Sequence, residues 1–266
     1  MELDGAGVVV TGGGSGIGEA LVRAFAAAGA RVVVNDLDAI KAEVVALETG
    51  GYPVPGDAAS AEGVRTLIKE ARAQLGEIDL YCANAGVGGA PTLDAEDGWE
   101  LAWNVNVMAH VRAARELLPH WLERGRGHFL ATVSAAGLLT MLGAPAYSVT
   151  KHGALAFAEW LSATYGERGI TVQALCPMGV RTPMLEASGQ AGELLLVPTA
   201  ISVQEVAQTV LAGLDDDRFL ILPHAEAADH YAKRAAYPDH WLAAMRKAQG
   251  ELDAALEQAA AAEGAQ

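Results

Sequence analysis

The sequence is short of cysteine, of basic charge, of long apolar runs and of metal-ligand spacing. Cysteine occurs twice in 266 residues, at Cys82 and Cys176, far apart and outside any CxxC pattern. That excludes a disulfide framework or a thiolate metal site, and both residues read as small buried hydrophobes on strands. Only 18 Lys and Arg stand against 33 Asp and Glu, a formal charge of −15. A field of that sign repels nucleic acid and anionic membrane surfaces, so neither is an expected partner. No apolar run approaches the ~20 residues that span a bilayer, and no charged-then-apolar leader opens the chain, so a soluble cytoplasmic protein is expected. The seven histidines never fall at metal-ligand spacing with one another or with cysteine. They are read as structural or exposed, and no metal is expected.

Hydrophobic residues, by contrast, make up 52% of the chain, and there are 30 glycines. Short β-branched runs alternate with helix-length segments. The pattern predicts strands over 7–11, 31–35, 52–55, 78–82, 128–134, 170–176 and 219–222. It predicts helices over 17–28, 39–47, 61–75, 98–122, 146–165 and 203–212. Buried strands separated by helices imply βαβ crossovers and a parallel sheet of seven strands with helices on both faces. No linker or repeat divides residues 1–223, which are read as one domain. Residues 177–199 form a long connection, the kind that acts as a lid in compact α/β proteins. Residues 224–266 are read as a helical extension, helical from about Asp239, with Trp241, Met245, Leu252 and Leu256 on one face. That face is expected to pack on the same domain or a neighbouring subunit.

The first strand ends in Thr11-Gly12-Gly13-Gly14-Ser15-Gly16-Ile17-Gly18. Glycines there permit a tight strand-to-helix turn and close backbone approach to a pyrophosphate. The helix N-terminus supplies N–H donors. Asp36 follows the second strand, where a carboxylate can accept hydrogen bonds from ribose hydroxyls and would repel a 2′-phosphate. Ser15 and Asn35 are uncharged, and Lys41 is read as solvated, so NAD is the expected cofactor. Replacing Asp36 by Ala and Asn35 by Arg is expected to shift the preference to NADP. Asp57-Ala58 and Asn84-Ala85-Gly86 end the third and fourth strands at the edge where such sheets bind ligands.

Tyr147 and Lys151 are four residues apart on a helix and so share one face. An ammonium beside a phenol favours phenolate and brings its pKa of ~10 toward the working range. Ser134 ends the fifth strand upstream. In this order and spacing, TGGGSGIG (11–18), Asp36, Asp57, NAG (84–86), Asn106, Ser134, YSVTK (147–151) and Pro177 through Thr182 resemble the short-chain dehydrogenase/reductase family. The resemblance covers about residues 3–222 and implies a single-domain, doubly wound Rossmann-type α/β fold.

It also implies roles. Tyr147 would be general base in alcohol oxidation and general acid in ketone reduction. Lys151 would lower its pKa and bind the nicotinamide ribose, Ser134 would hold the reacting oxygen, and Asn106 would hold a water linked to Lys151. Cofactor contacts would come from Gly12, Ser15, Gly16, Ile17, Gly18, Asp36, Leu37, Asp57, Ala58, Asn84, Ala85, Gly86, Tyr147, Lys151, Pro177, Val180 and Thr182. The usual Pro-Gly after the sixth strand is here Pro177-Met178, which puts the loop backbone beside the nicotinamide in question.

Val87, Ala135, Met141, Leu142, Met178, Met184 and 194–197 suggest an apolar wall, hence an apolar or aromatic secondary alcohol or ketone. An NADP-dependent ketone or 3-oxoacyl reductase and a non-catalytic nucleotide sensor are the alternatives. The family implies a homo-oligomer, a dimer or tetramer formed through the helices at 98–122 and 146–165.

Overall fold

A computed structural model of the chain describes residues 1–263. Its first two strands are built largely from valine. Gly7–Thr11 (β1) is buried throughout, and Arg31–Asn35 (β2) is buried at all but its first residue. Val9 and Val33 face one core; Val8, Val10, Val32 and Val34 face the other. Burial on both faces is what a parallel strand covered by helices on either side requires, and β-branched side chains suit it. The remaining strands are Tyr52–Pro53 (β3), Leu80–Ala83 (β4), Gly127–Thr132 (β5), Ile170–Leu175 (β6) and Leu220–Ile221 (β7). All pair in parallel in the order β3-β2-β1-β4-β5-β6-β7. The order reverses between β1 and β4, which places a crevice at their carboxyl ends.

Gly16–Ala27 (α1), Ala39–Thr49 (α2) and Val203–Asp216 (α9) cover one face through Leu21, Phe25, Val45, Val210 and Leu214. Ala61–Leu75 (α3), Ala109–Arg124 (α5) and Pro145–Tyr165 (α6) cover the other through Leu67, Leu117, Trp121 and Leu161. Local chemistry sets the ends. The Ser60 hydroxyl accepts the N–H of Gly63 to start α3, and Ser202 with Glu205 forms a capping box at α9. Gly50 closes α2 in the left-handed region, where a side chain would be strained.

Three expectations need correction. The helix over 98–122 is not uniform: Glu96–Trp103 (α4) passes through a π-helical segment, Asn104–Met108, before α5. The wider turn carries an extra residue and brings Asn106 fully inside. The connection at 177–199 holds two short helices, Pro183–Glu186 (α7) and Gly189–Leu195 (α8). The tail contains an unforeseen helix, Glu226–Ala236 (α10), before Pro238–Glu263 (α11). Leu252 is buried, and Trp241, Met245 and Leu256 are partly so. Among the described residues, no helix is long and apolar enough to cross a membrane, and no cluster of His, Cys, Asp and Glu could hold a metal.

Candidate active site

The crevice begins at the glycine turn. Gly12 and Gly16 sit at φ 62° and 56°, and a Cβ on Gly18 would stand 2.0 Å from the Gly12 carbonyl oxygen. Only glycine allows that approach of helix to strand. Ser15 precedes α1 with extended backbone, and no side-chain hydrogen bond caps the helix N-terminus. Asp36 braces the turn: its Oδ2 accepts the Gly14 N–H at 3.0 Å and its Oδ1 that of Asp38 at 3.0 Å. Leu37 beside it is 80% exposed.

Asn35 is placed differently from the expectation. It is 2% exposed, and its amide donates to the carbonyls of Val54 and Gly56 at 2.9 and 3.1 Å. It therefore faces the core side of the sheet edge and offers no place for an arginine.

The strand ends are tied together by Thr11, whose part the motif alone did not reveal. Its hydroxyl accepts the N–H groups of Asn84 (2.9 Å) and Ala85 (3.0 Å) and donates to the Cys82 carbonyl at 3.2 Å. The Asn84 amide returns a bond to the Thr11 carbonyl at 2.9 Å. Gly86 follows; a Cβ there would lie 3.3 Å from Asn106 Oδ1 and 3.5 Å from Lys151 Nζ. Asp57 accepts the N–H groups of Ala59 and Ser60. Burial opposes its charge, but those bonds, the Ser60 hydroxyl and Arg112 together hold its carboxyl below the usual range.

Facing this half are Ser134, Tyr147, Lys151 and Asn106. Lys151 is 2% exposed; its ammonium donates to the Thr132 carbonyl at 2.9 Å and lies 5.5 Å from the Tyr147 ring centre. Burial pushes Lys151 down to about 8. Burial also raises Tyr147 above its ordinary value, against a hydrogen bond with Ser134. The lowering expected from Lys151 is not met: burial is the largest influence on the phenol, and the group that opposes it is Ser134. Asn106 Oδ1 accepts the Val87 N–H, and its Nδ2 donates to the Val87 carbonyl and the Thr150 hydroxyl. Cys176, a free buried thiol, lies close to Ser134 and Lys151 and stays protonated, pushed up to about 12 by burial.

Ser134 is strained. Its φ of 152° and ψ of 156° belong to a region that is nearly glycine-only. Its Oγ accepts the Ala136 N–H at 3.1 Å. Across from it runs the segment from Pro177 to Thr182. Val180 pairs with Ile201, and Thr182 caps α7. A Cβ on Gly16 would lie 3.2 Å from Thr182 Cγ2, so this segment closes over the glycine turn.

The apolar wall splits. Ala135 is buried and Val87, Met141, Leu142 and Met178 are partly buried, whereas Met184 and Leu194 are 45% and 48% exposed. A Cβ at Gly143 would stand 3.9 Å from the Ala191 side chain, which puts the loop before α6 next to α8.

Comparisons with known proteins identify the family of the chain. A family profile described as short chain dehydrogenase matches residues 6–192. The 1-deoxy-11-beta-hydroxypentalenate dehydrogenase of Streptomyces exfoliatus is 36% identical over 258 residues, 91% of this chain and 90% of its own. The D-beta-hydroxybutyrate dehydrogenase of Cupriavidus necator is 29% identical over 197 residues, 71% of this chain and 76% of its own. Among solved structures, a short chain dehydrogenase/reductase from Burkholderia phymatum in complex with NAD aligns with a TM-score of 0.82 at 26% identity. The alignment covers 89% of this chain and 95% of that one. The chain belongs to the short-chain dehydrogenase/reductase family and is an oxidoreductase of that class.

Proposed function

We propose that the protein interconverts an apolar secondary alcohol and its ketone with NAD as the redox partner. The observation that carries this reading is the Ser134–Tyr147–Lys151 cluster facing the glycine turn across the β1/β4 crevice. The residues fit a dinucleotide. The helix N-terminus carries no side-chain cap, and Gly86 leaves open the space beside Asn106 and Lys151 that a Cβ would enter. When bound, the nicotinamide accepts or supplies the hydride.

The chain's own groups handle the proton. In ketone reduction the Tyr147 phenol donates its proton to the carbonyl oxygen as hydride adds to the carbon, leaving alcohol and phenolate. In oxidation the phenolate takes the hydroxyl proton back. Burial keeps the phenol protonated, which suits the acid role. The nearby Lys151 charge favours the phenolate that follows. The Ser134 hydroxyl would donate to the oxygen on which negative charge develops. Both Nδ2 protons of Asn106 are used, so a water it holds must donate to Oδ1 or to its backbone carbonyl.

Asp36 supports NAD over NADP. Its carboxylate directly follows β2, and Lys41 is paired at 3.8 Å with Asp38. Because Asn35 is buried, the converting arginine belongs at exposed Leu37. Asp36→Ala with Leu37→Arg is expected to raise the NADP:NAD ratio of kcat/KM by about 10²-fold, since it removes a repulsive carboxylate and adds a charge-assisted bond. No change in the ratio would take the discriminating role from Asp36.

The apolar wall and the hydroxypentalenate and hydroxybutyrate relatives support a hydroxyl-bearing organic substrate. A panel of 2-octanone, cyclohexanone and acetophenone, with the matching alcohols, read by nicotinamide absorbance with each cofactor, tests the whole reading. Turnover confined to phosphorylated or small polyol substrates would remove it. Leu101, Trp103, Val149 and Trp160 are about half exposed on α4 and α6 and support a homo-oligomer through these helices. Free, buried Cys82 and Cys176 suit the reducing cytoplasm.

A further inference from the structure

The peptide unit between Pro177 and Met178 is held at both ends. Its carbonyl accepts the Ala135 N–H at 2.8 Å, and the Ser134 hydroxyl lies 3.5 Å from the same oxygen. Its N–H donates to Nδ1 of His224 at 3.1 Å. His224 follows β7, is 4% exposed, and through its own carbonyl accepts the Ala227 N–H at the start of α10. A hydrogen-bonded chain therefore runs from the tail, across one peptide plane, to the strained turn that presents Ser134. Burying an imidazole is unfavourable unless it is bonded. Here Nε2 has no partner among the described residues, so the Nδ1 bond is the one the ring provides.

The geometry assigns His224 the part of a positioning residue: it fixes the orientation of the Pro177–Met178 peptide and thereby the placement of Ser134. Were that peptide to flip, its N–H would face Ala135 in place of the carbonyl. The turn would then lose the contact that over-determines its strained backbone, the condition under which such strain persists. The same bond accounts for Met178 where the family resemblance leads one to expect glycine, because the backbone there is held by His224. Met178 meets the ring through its main-chain N–H and is itself partly buried.

This assignment rests on the proposed dehydrogenase reading, and the test separates the two. With NADH and whichever of 2-octanone, cyclohexanone and acetophenone reacts fastest, His224→Ala is expected to lower kcat roughly 5- to 30-fold, the effect of leaving one buried donor unpaired. NADH affinity, measured by fluorescence titration, is expected to change much less. His224→Asn puts a carbonyl oxygen near the Nδ1 position and should restore most of kcat. His224→Gln puts its amide near Nε2 and should not. In a Ser134→Ala background, His224→Ala should have little further effect, because the residue acts through Ser134. Equal losses in the two backgrounds, or an Asn variant no better than Ala, would overturn the assignment. Absence of wild-type turnover with every ketone and both cofactors would instead overturn the dehydrogenase reading.

Discussion

Tyr147→Phe is expected to lower kcat/KM in both directions by about 10²–10⁴-fold, the range supplied by a positioned general acid–base. NADH affinity should stay within about threefold, because no cofactor phosphate or adenine contact is lost. The change deletes one oxygen from a half-buried ring and leaves α6 intact, so the fold should be unaffected. What is removed is specific. The hydroxyl is the group hydrogen-bonded to Ser134, and its proton is kept on by burial despite that bond. Without it, the cluster loses the donor that is hydrogen-bonded to Ser134. The Lys151 ammonium is held on the Thr132 carbonyl, 5.5 Å from the centre of the Tyr147 ring, and the Cys176 thiol is a weak acid, pushed up to about 12. The check is a paired measurement, turnover of the fastest ketone and NADH fluorescence titration on the same preparation. A variant retaining more than about a tenth of wild-type kcat/KM would remove Tyr147 from the chemistry.

Much of this site was legible in the sequence because its chemistry is local in sequence. The glycine turn lies at one strand–helix junction, Asp36 at the next strand end, and Tyr147 with Lys151 on one helical turn. Valine runs flanked by glycine made β1 and β2 readable to the residue. What stayed hidden depends on contacts distant in sequence. The π-helical segment at Asn104–Met108 changes the phase of a helix without changing its apolar composition, so periodicity shows a single rod. The direction of Asn35 is set by β3, whose Val54 and Gly56 carbonyls it serves, and alternation along β2 does not reveal that. Helix α10 carries only one buried residue, Ala227, and is polar in overall composition. Thr11 and His224 act by bonding to main-chain groups some 73 and 46 positions away. Their side chains carry no spacing that a motif could record.

Acid is expected to destabilise the protein well before its carboxylates titrate, and two buried histidines carry the effect. His110 is 1% exposed, and neither ring nitrogen has a partner among the described residues. Burial, helped by the Lys151 charge, pushes it down to about 3. His128 is 4% exposed and is pushed down to about 4 by burial, against its 2.9 Å bond with Gln173 and the charge of Asp217. Above pH ~6.5 both rings are neutral in the native and unfolded states alike, so neither contributes a pH dependence. Below it the unfolded chain binds protons that the native state refuses, so stability falls with pH down to the folded values near 4 and 3. Two such protons give a slope of about 2.7 kcal/mol per pH unit, or about 4 kcal/mol between pH 7 and pH 5. His110→Leu separates the sources. It replaces two unpaired buried nitrogens by apolar atoms of similar volume, so stability at pH 7 should be unchanged or higher. It should also cut the slope between pH 6 and pH 5 to about 1.4 kcal/mol, one proton instead of two. Urea unfolding at pH 7, 6 and 5 reads both quantities. An unaltered slope in the variant would mean that His110 binds its proton equally in the folded and unfolded states, and that the acid sensitivity lies elsewhere.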